Sequence, residues 1–550
     1  MRGDVDYLEK LIVRLADYGY NMLVLYLEYR FQFPSHPAIG NKHALTQADA
    51  RHLDQVARSR GIELVPCVNC AGHCEGIGYL EMYKHLSADP SGLSAGVEQL
   101  RVADPNALAL IEDLYRDLFA CFQSSYFHIG ADEIRQLDRQ MEEATEEQRW
   151  DQAMRHILHV IQFVKDNGKT PMMFGDMLLK HKSSVGRIPD DVIICDWAAF
   201  SDPLGKALSN TASQRFFKDA GKRAIACPSV NSYMGHPIVS VNSTMNIVSF
   251  VQDQQEVFGP DTNGVMLNLW EFDNGNFFSK QWPWVYMLGR LHAGETFAGL
   301  DFLQAYTKLE WGIDTDELKV WYDLVDVQTQ KLFLFHGFVD EVTRAALTPV
   351  RSRSYKLLRG FMIDMLQSVN ILPVLHRSRS WMNAAIRAEL TDNYEKARIV
   401  AASMAHNAVN RREEPEMLLE WTVLFLTMLK MIDLLERAQT HYSDAAKVQY
   451  AADADGFRAQ LEACCLELRE IARLSDALVR WTALMIEREH AAPEEGWWVN
   501  RVGQDILDRA AMLEAIGKDN SRALVNFNVF LRLEPQLPFV PRYMKKQLRW

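Results

Sequence analysis

The first 310 residues hold seven short apolar runs, and their spacing limits the fold more than any other feature of the chain. The runs are Asn21–Leu27, Ile62–Val68, Ser125–Gly130, Pro171–Gly175, Val192–Asp196, Arg223–Cys227 and Gly264–Trp270. Most are continuous rather than alternating in polarity, as strands buried on both faces require. Amphipathic helical stretches separate them, among them Tyr7–Tyr18, Thr46–Arg60, Leu108–Phe122 and Trp150–Asn167. Repeated strand–helix units of this spacing predict an α/β fold with a parallel sheet, and their number favours a (β/α)8 TIM-type barrel over an open sheet. Residues 1–20 read as a loop entering the first helix. The seven runs then correspond to strands two to eight, with the first strand expected upstream of Met1. Met1 is accordingly read as an internal start, and seven barrel strands are expected.

Past residue 310 the strand signals stop. Long helical patterns follow at Asp316–Phe335, Val339–Leu366, Ser378–Glu389, Asn393–Ala408, Pro415–Ala438, Phe457–His490 and Asp505–Glu514. The segment Pro415–Ala438 is apolar on most sides, which places it at the centre of a helical bundle. The stretch Ala491–Glu495 and the Pro-rich tail near residues 535–541 read as loops. The expected division is a barrel over residues 1–310 and an all-α domain over 311–550. The helical part could pack on the barrel or form a homodimer interface.

The 59 Lys+Arg against 72 Asp+Glu give a formal net charge of −13, with no long basic run. That balance argues against nucleic acid or an anionic membrane as partner. No stretch of about 18 uncharged apolar residues marks a transmembrane helix. The N-terminal MRGDVDYLEK lacks the apolar core of a signal peptide. Eight cysteines in 550 residues fit a reducing compartment better than a disulfide framework, so a cytoplasmic location is expected. Cys67, Cys70 and Cys74 have part of a zinc spacing, but no second CxxC follows. Buried strand cysteines are the preferred reading, and neither a metal nor a cofactor is expected.

In a barrel, chemistry gathers at the C-terminal ends of the strands. The polar residues that directly follow the runs are Glu28 to Arg30; Asn69, His73 and Glu75; His128, Asp132 and Glu133; Asp176; Asp196 and Trp197; Asn231 and Tyr233; and Trp270, Glu271, Asp273 and Asn274. This set is rich in carboxylates and aromatics. It holds neither a Gly-rich phosphate cradle nor a serine nucleophile elbow. Carboxylates beside tryptophans suit a sugar, whose C–H faces stack on rings while its hydroxyls bond acids. The sharpest stretch is Tyr126-Phe-His-Ile-Gly-Ala-Asp-Glu133. Adjacent acids repel, so one is expected to be protonated or held by a partner. A Glu of raised pKa is what a glycosidase needs as general acid. Capping of the next helix by Asp132 and Glu133 is an equal alternative on spacing alone.

His128-Ile-Gly-Ala-Asp132-Glu133 resembles the H-x-G-G/A-D-E signature of glycoside hydrolase family 20, the β-N-acetylhexosaminidases. Further stretches are similar in the same chain order. Pro66 to Glu75, with Gly72-His73, resembles the family's third-strand segment. Phe174-Gly-Asp176-Met177 resembles its fifth-strand W/F-x-D-M, Trp197 a sixth-strand tryptophan, and Asn268-Leu-Trp270-Glu271 the eighth-strand tryptophan with a nearby acid. The resemblance spans about residues 1–310, and the helical half is similar to that of a multi-domain branch.

The resemblance implies an exo-acting β-N-acetylhexosaminidase that hydrolyses N-acetylhexosamine-terminated glycans. Its retaining mechanism is substrate-assisted: the 2-acetamido oxygen attacks the anomeric carbon to give an oxazoline, an exception to the scheme of two protein carboxylates. Glu133 would be general acid and then base, and Asp132 would bond the acetamido N–H. Tyr233 would bond the acetamido oxygen, and Trp197 and Trp270 would wall the sugar. Glu271 or Asp273 would bond distal hydroxyls. His73 would tune Glu133, with Glu28 behind it. Asp176 is a candidate contact or a helix cap, and His128 a candidate contact or a structural hydrogen bond within its strand. The family's sugar-gripping arginine lies on the first strand, so Arg30 is a candidate substitute, although Tyr29-Arg30-Phe31 stands where a further acid is usual. Two other readings stay open: a sugar-binding or structural protein on the same fold, and a barrel hydrolase with Glu271 as protein nucleophile.

Overall fold

The computed structural model describes residues 5–40, 44–78, 80–90, 98–134, 143–197, 210–230, 241–259, 264–269, 281–325, 372, 375, 383–451, 453–489, 502–520 and 523–531. Six of the seven apolar runs form one parallel sheet in chain order. Its strands are β1 (Met22–Tyr26), β2 (Glu63–Cys67), β3 (Tyr126–His128), β4 (Thr170–Phe174), β5 (Ile193–Trp197) and β6 (Arg223–Cys227). The seventh run joins β6 only through the parallel bridges Ala226–Val265 and Ser229–Asn268. It is a bridged segment rather than the full strand expected. Pro228 lies opposite it and accepts from the Asn268 N–H at 2.8 Å, but having no N–H of its own it cannot donate to the ladder. Among the described residues there is no eighth parallel strand.

The continuous apolar runs are explained by a sheet that is covered on both sides. Alternate residues point to opposite faces. Val65, Met172, Phe174, Ile193, Cys195, Ile225 and Cys227 fill a small cluster inside the curl of the sheet. Leu64, Met173, Ile194 and Ala224 face the helices and belong to the larger core. All eight cysteines are buried free thiols.

The helices that flank the strands are α1 (Val5–Asp17), which precedes β1, and then α2 (Gln47–Ser59), α3 (Pro105–Phe119), α4 (Glu146–Asp166), α5 (Asp176–Lys180), α6 (Thr211–Asp219) and α7 (Val241–Phe258). Their starts follow local chemistry. Thr46 and Asp49 form a capping box before α2, and Thr145 and Gln148 form one before α4. Helix α3 begins earlier than its apolar pattern, because Asp104 caps it and Pro105 suits its first turn.

Helices α8 (Trp282–His292), α9 (Phe302–Glu310) and α10 (Glu317–Val325) lead into the all-α part. There α11 (Ala384–Asn407) replaces the two helices expected at Ser378–Glu389 and Asn393–Ala408. The polar stretch around Thr391 read as a break, but it holds no Gly or Pro, and the Thr391 hydroxyl donates to Arg387 O within the helix at 2.8 Å. Helix α12 (Glu413–Val448) overruns the expected Pro415–Ala438 at both ends, and α13 (Ala454–Glu489) and α14 (Val502–Asp519) follow. The expected helix Val339–Leu366, the stretch Ala491–Glu495 and the Pro-rich tail lie outside the described residues.

A buried ionic cluster ties α1 to the helical part. The Arg14 guanidinium donates to Glu414 at 2.6 Å and Glu310 at 2.7 Å, and lies 4.0 Å from the Trp282 ring centre. Glu414 also accepts from Tyr306 and Trp311 at 2.7 and 2.9 Å, so its oxygens are satisfied.

Candidate active site

The carboxyl ends of β1 to β5 bring one polar cluster together. Strand β3 ends at His128, and the chain then bends sharply: Gly130, Ala131 and Glu133 have φ of +67°, +68° and +46°. A Cβ on Gly130 would lie 1.9 Å from Asn69 Oδ1, so this position accepts only glycine. Glu28 and His73 are also left-handed, at +40° and +48°. Four of the six non-glycine residues with positive φ among the described residues thus sit at this one edge of the sheet. Each such residue costs on the order of 1–3 kcal/mol, and strain of this kind concentrates where function needs a fixed geometry.

Residues 131–134 are irregular, and residues 135–142, where a helix capped by Asp132 and Glu133 would begin, lie outside the described residues. Partners hold both acids. His73 Nε2 lies 3.2 Å from Glu133 Oε2 and 3.7 Å from Asp132 Oδ2. Asp132 Oδ1 accepts from Asn69 Nδ2 at 2.9 Å. The Glu133 N–H donates to Asp176 Oδ2 at 3.0 Å. Asp132 is buried, whereas Glu133 and His73 remain partly open to solvent.

Asp176, the first residue of α5, also accepts from Trp197 Nε1 at 3.4 Å. Burial, and next the nearby Asp132 charge, push its carboxyl up from 3.8 to about 6, against the lowering effect of its hydrogen bonds. Its observed contacts are thus to the Glu133 backbone and the Trp197 indole. Trp197 ends β5 and is only partly buried, which leaves ring surface available.

Glu28 is buried, and its Oε1 accepts the Gly76 N–H at 2.5 Å. It thereby fixes the turn that follows His73. Arg30 lies 3.9 Å from Glu28 and over the Tyr29 ring. Tyr26 donates to His73 O at 3.2 Å, bracing the same turn from β1. His128 lies wholly inside the sheet, where its Nδ1 accepts the Gly130 N–H at 3.1 Å and sits 3.3 Å from Cys67 Sγ. That is the structural hydrogen bond, made from a position beneath the bend. Tyr233, Trp270, Glu271 and Asp273 lie outside the described residues.

Tyr26, Asn69 and Gln99 enter the cluster without having been assigned roles from the sequence. Gln99 Nε2 reaches Glu133 O at 3.5 Å from a separate loop, and nothing in its local pattern signals this. Asn69 does follow an apolar run, which was the available clue. Among the described residues no group of His, Cys, Asp or Glu is arranged to hold a metal ion.

A curled parallel sheet with paired acids beyond its third strand and an indole beside them defines a TIM-type barrel domain with a carboxylate site at its carboxyl edge. Residues 26–263 match glycosyl hydrolase family 20, catalytic domain. The chain is 23% identical over 192 residues to beta-hexosaminidase 1 of Coccidioides posadasii, covering 29% of this chain and 30% of that protein. It is 25% identical over 129 residues to a lacto-N-biosidase of Bifidobacterium bifidum, covering 23% of this chain and 11% of that protein. The chain therefore matches under a third of the length of either curated relative. Among solved structures, the chitobiase of Flavobacterium johnsoniae aligns with 87% of this chain and 76% of its own at 13% identity and a TM-score of 0.42.

Proposed function

We propose that this protein is a glycoside hydrolase, an exo-acting β-N-acetylhexosaminidase that removes terminal β-linked GlcNAc or GalNAc by a substrate-assisted, retaining route. The barrel over residues 1–310 would carry the reaction, with the helical part over 311–550 beside it. The observation that carries the proposal is the Asp132–Glu133 pair at the carboxyl edge, with His73 Nε2 3.2 Å from Glu133 and 3.7 Å from Asp132.

Each residue has a chemical task in this reading. Glu133 is the more accessible acid and protonates the leaving oxygen, then takes the proton of the incoming water. His73 beside it stabilises the carboxylate that remains. Asp132, buried and held by Asn69, accepts the acetamido N–H and orients the amide oxygen toward the anomeric carbon. It also balances the positive charge that spreads into the oxazoline ring. Trp197 offers its ring face to the N-acetyl group.

Release of p-nitrophenol from the β-GlcNAc or β-GalNAc glycoside is the direct test. Glu133→Gln is expected to lower kcat by about 10²-fold or more. Folded protein that binds a thiazoline inhibitor but turns over neither glycoside would refute the enzymatic reading. It would favour the second one, a sugar-binding protein on the same fold. The sheet order motivates that alternative, because it runs from β1 to β6 without a return to β1 among the described residues.

A further inference from the structure

We infer that Asn69 is a positioning residue for the Asp132–Glu133 pair, and that its neutral amide keeps that pair in place across a pH range in which an acid at the same position would not. The inference rests on reading Asp132 and Glu133 as the catalytic pair.

Asn69 lies two residues beyond β2 and is 1% exposed. Its Oδ1 accepts the Ala131 N–H at 2.7 Å. A backbone N–H can only donate, so the oxygen end of the amide faces Ala131 and the NH2 end must face Asp132. The orientation thus follows from the chemistry of the partners. The NH2 group donates to Asp132 Oδ1 at 2.9 Å and approaches the Tyr26 hydroxyl at 3.4 Å.

One side chain therefore holds two consecutive residues of the bend. It satisfies a buried N–H on Ala131, whose backbone is left-handed at +68°, and it grips the carboxylate of the next residue. Gly130 makes room for it, since a Cβ there would overlap the amide. The match of Gly130, Asn69 and Ala131 is specific in shape and in hydrogen-bond polarity.

The groups around Asp132 show why neutrality matters. His73 Nε2 is 3.7 Å from it, Glu133 is its chain neighbour, and Asp176 feels its charge. The Cys70 thiol nearby is kept neutral, pushed up by burial. Two carboxyls other than Asp132 already crowd this space. Asn69 supplies a donor to Asp132 without adding a third.

Asn69→Asp tests this with almost no change of shape. At low pH positions 69 and 132 would share one proton, and the bond between them would survive. As pH rises that proton leaves, and two carboxylates about 3 Å apart repel. The expected kcat on p-nitrophenyl N-acetyl-β-glucosaminide is close to wild type at the acid end. It then falls on a new alkaline limb that the wild type lacks, reaching a loss of about 10²-fold, the cost of a misplacement near 1 Å. KM should change by less than about threefold, because the lost function is alignment rather than uniform binding. Asn69→Ala should lower kcat at every pH without a new limb. A wild-type pH profile in Asn69→Asp would overturn the inference.

Carboxyl 13C NMR of Asn69→Asp gives a readout that needs no turnover. Two coupled titration steps are expected, and they should collapse to one when Asp132→Asn is added. Independent titration of the two carboxyls would overturn the positioning role whatever the activity. Coupled titration together with a wild type that hydrolyses no glycoside would retain the contact and remove the functional reading on which its catalytic meaning rests.

Discussion

Replacing Asp176 with Asn should remove a pH-dependent loss of stability while impairing the site. Burial and the Asp132 charge hold the Asp176 carboxyl at about 6 in the folded chain, against 3.8 ordinarily. A folded-state value above the unfolded one means that the native protein binds more protons between the two. Stability contributed by this group is then present below pH 3.8 and is lost as pH rises toward 6. At about 1.4 kcal/mol per pH unit, the full loss is about 3 kcal/mol above pH 7, and only about 0.5 kcal/mol at pH 4. These figures are net of the hydrogen bonds from Glu133 N and Trp197 Nε1, which favour the charged form. The amide introduced by Asp176→Asn cannot ionise, so the variant escapes the loss. In urea titrations followed by tryptophan fluorescence, the stability of Asp176→Asn relative to wild type should rise by about 2.5 kcal/mol between pH 4 and pH 7.5, offset at every pH by about 1–3 kcal/mol for the donor left facing its NH2 group. Activity should move the other way. Two donors converge on the two oxygens of Asp176, and an amide has one oxygen. One donor is left facing an NH2 group, and kcat should fall by about tenfold as the Glu133 backbone shifts. A difference that falls as pH rises, or one that does not vary with pH, would refute the reasoning.

Three further outcomes follow from other parts of the molecule. Gly130→Ala adds a Cβ 1.9 Å from Asn69 Oδ1 at a φ of +67°, and should abolish activity while costing on the order of 1–3 kcal/mol in stability, measured by kinetics and urea unfolding together. His73→Asn removes the imidazole 3.2 Å from Glu133, and should lower kcat by about 10- to 10²-fold with KM nearly unchanged in steady-state kinetics. Arg14→Met leaves Glu414 buried without its cation, while Glu310 keeps Arg411 at 2.7 Å; a loss of about 3–5 kcal/mol is expected in urea unfolding, and a loss below about 1 kcal/mol would show that the cluster relaxes.

The sequence alone determined the strands, because burial on both faces leaves no choice of residue type. Six apolar runs became strands within a residue or so of their limits, and the seventh became a bridged segment. Helix starts were legible where a cap was local, as at Thr46, and less so in the polar middle of α11, where the break expected near Thr391 was absorbed into a continuous helix. At the site, Asp132, Glu133 and His73 could be named because they stand directly after apolar runs, where a parallel sheet delivers side chains to its carboxyl edge. Their relations could not be read in the same way. That Asp176 meets the Glu133 backbone, that Glu28 meets Gly76, and that Asn69 joins Ala131 to Asp132 are contacts across 43, 48 and more than 60 residues of chain. Such contacts depend on the register of neighbouring strands and on left-handed backbone at four positions, and neither leaves a periodic trace in the sequence. Only the tertiary structure decided which acid is buried, which stays open to solvent, and which carboxyl burial keeps partly protonated near pH 6. The reason is that desolvation and strain are properties of the assembled surroundings of a residue, whereas apolar patterning is carried by the residues themselves.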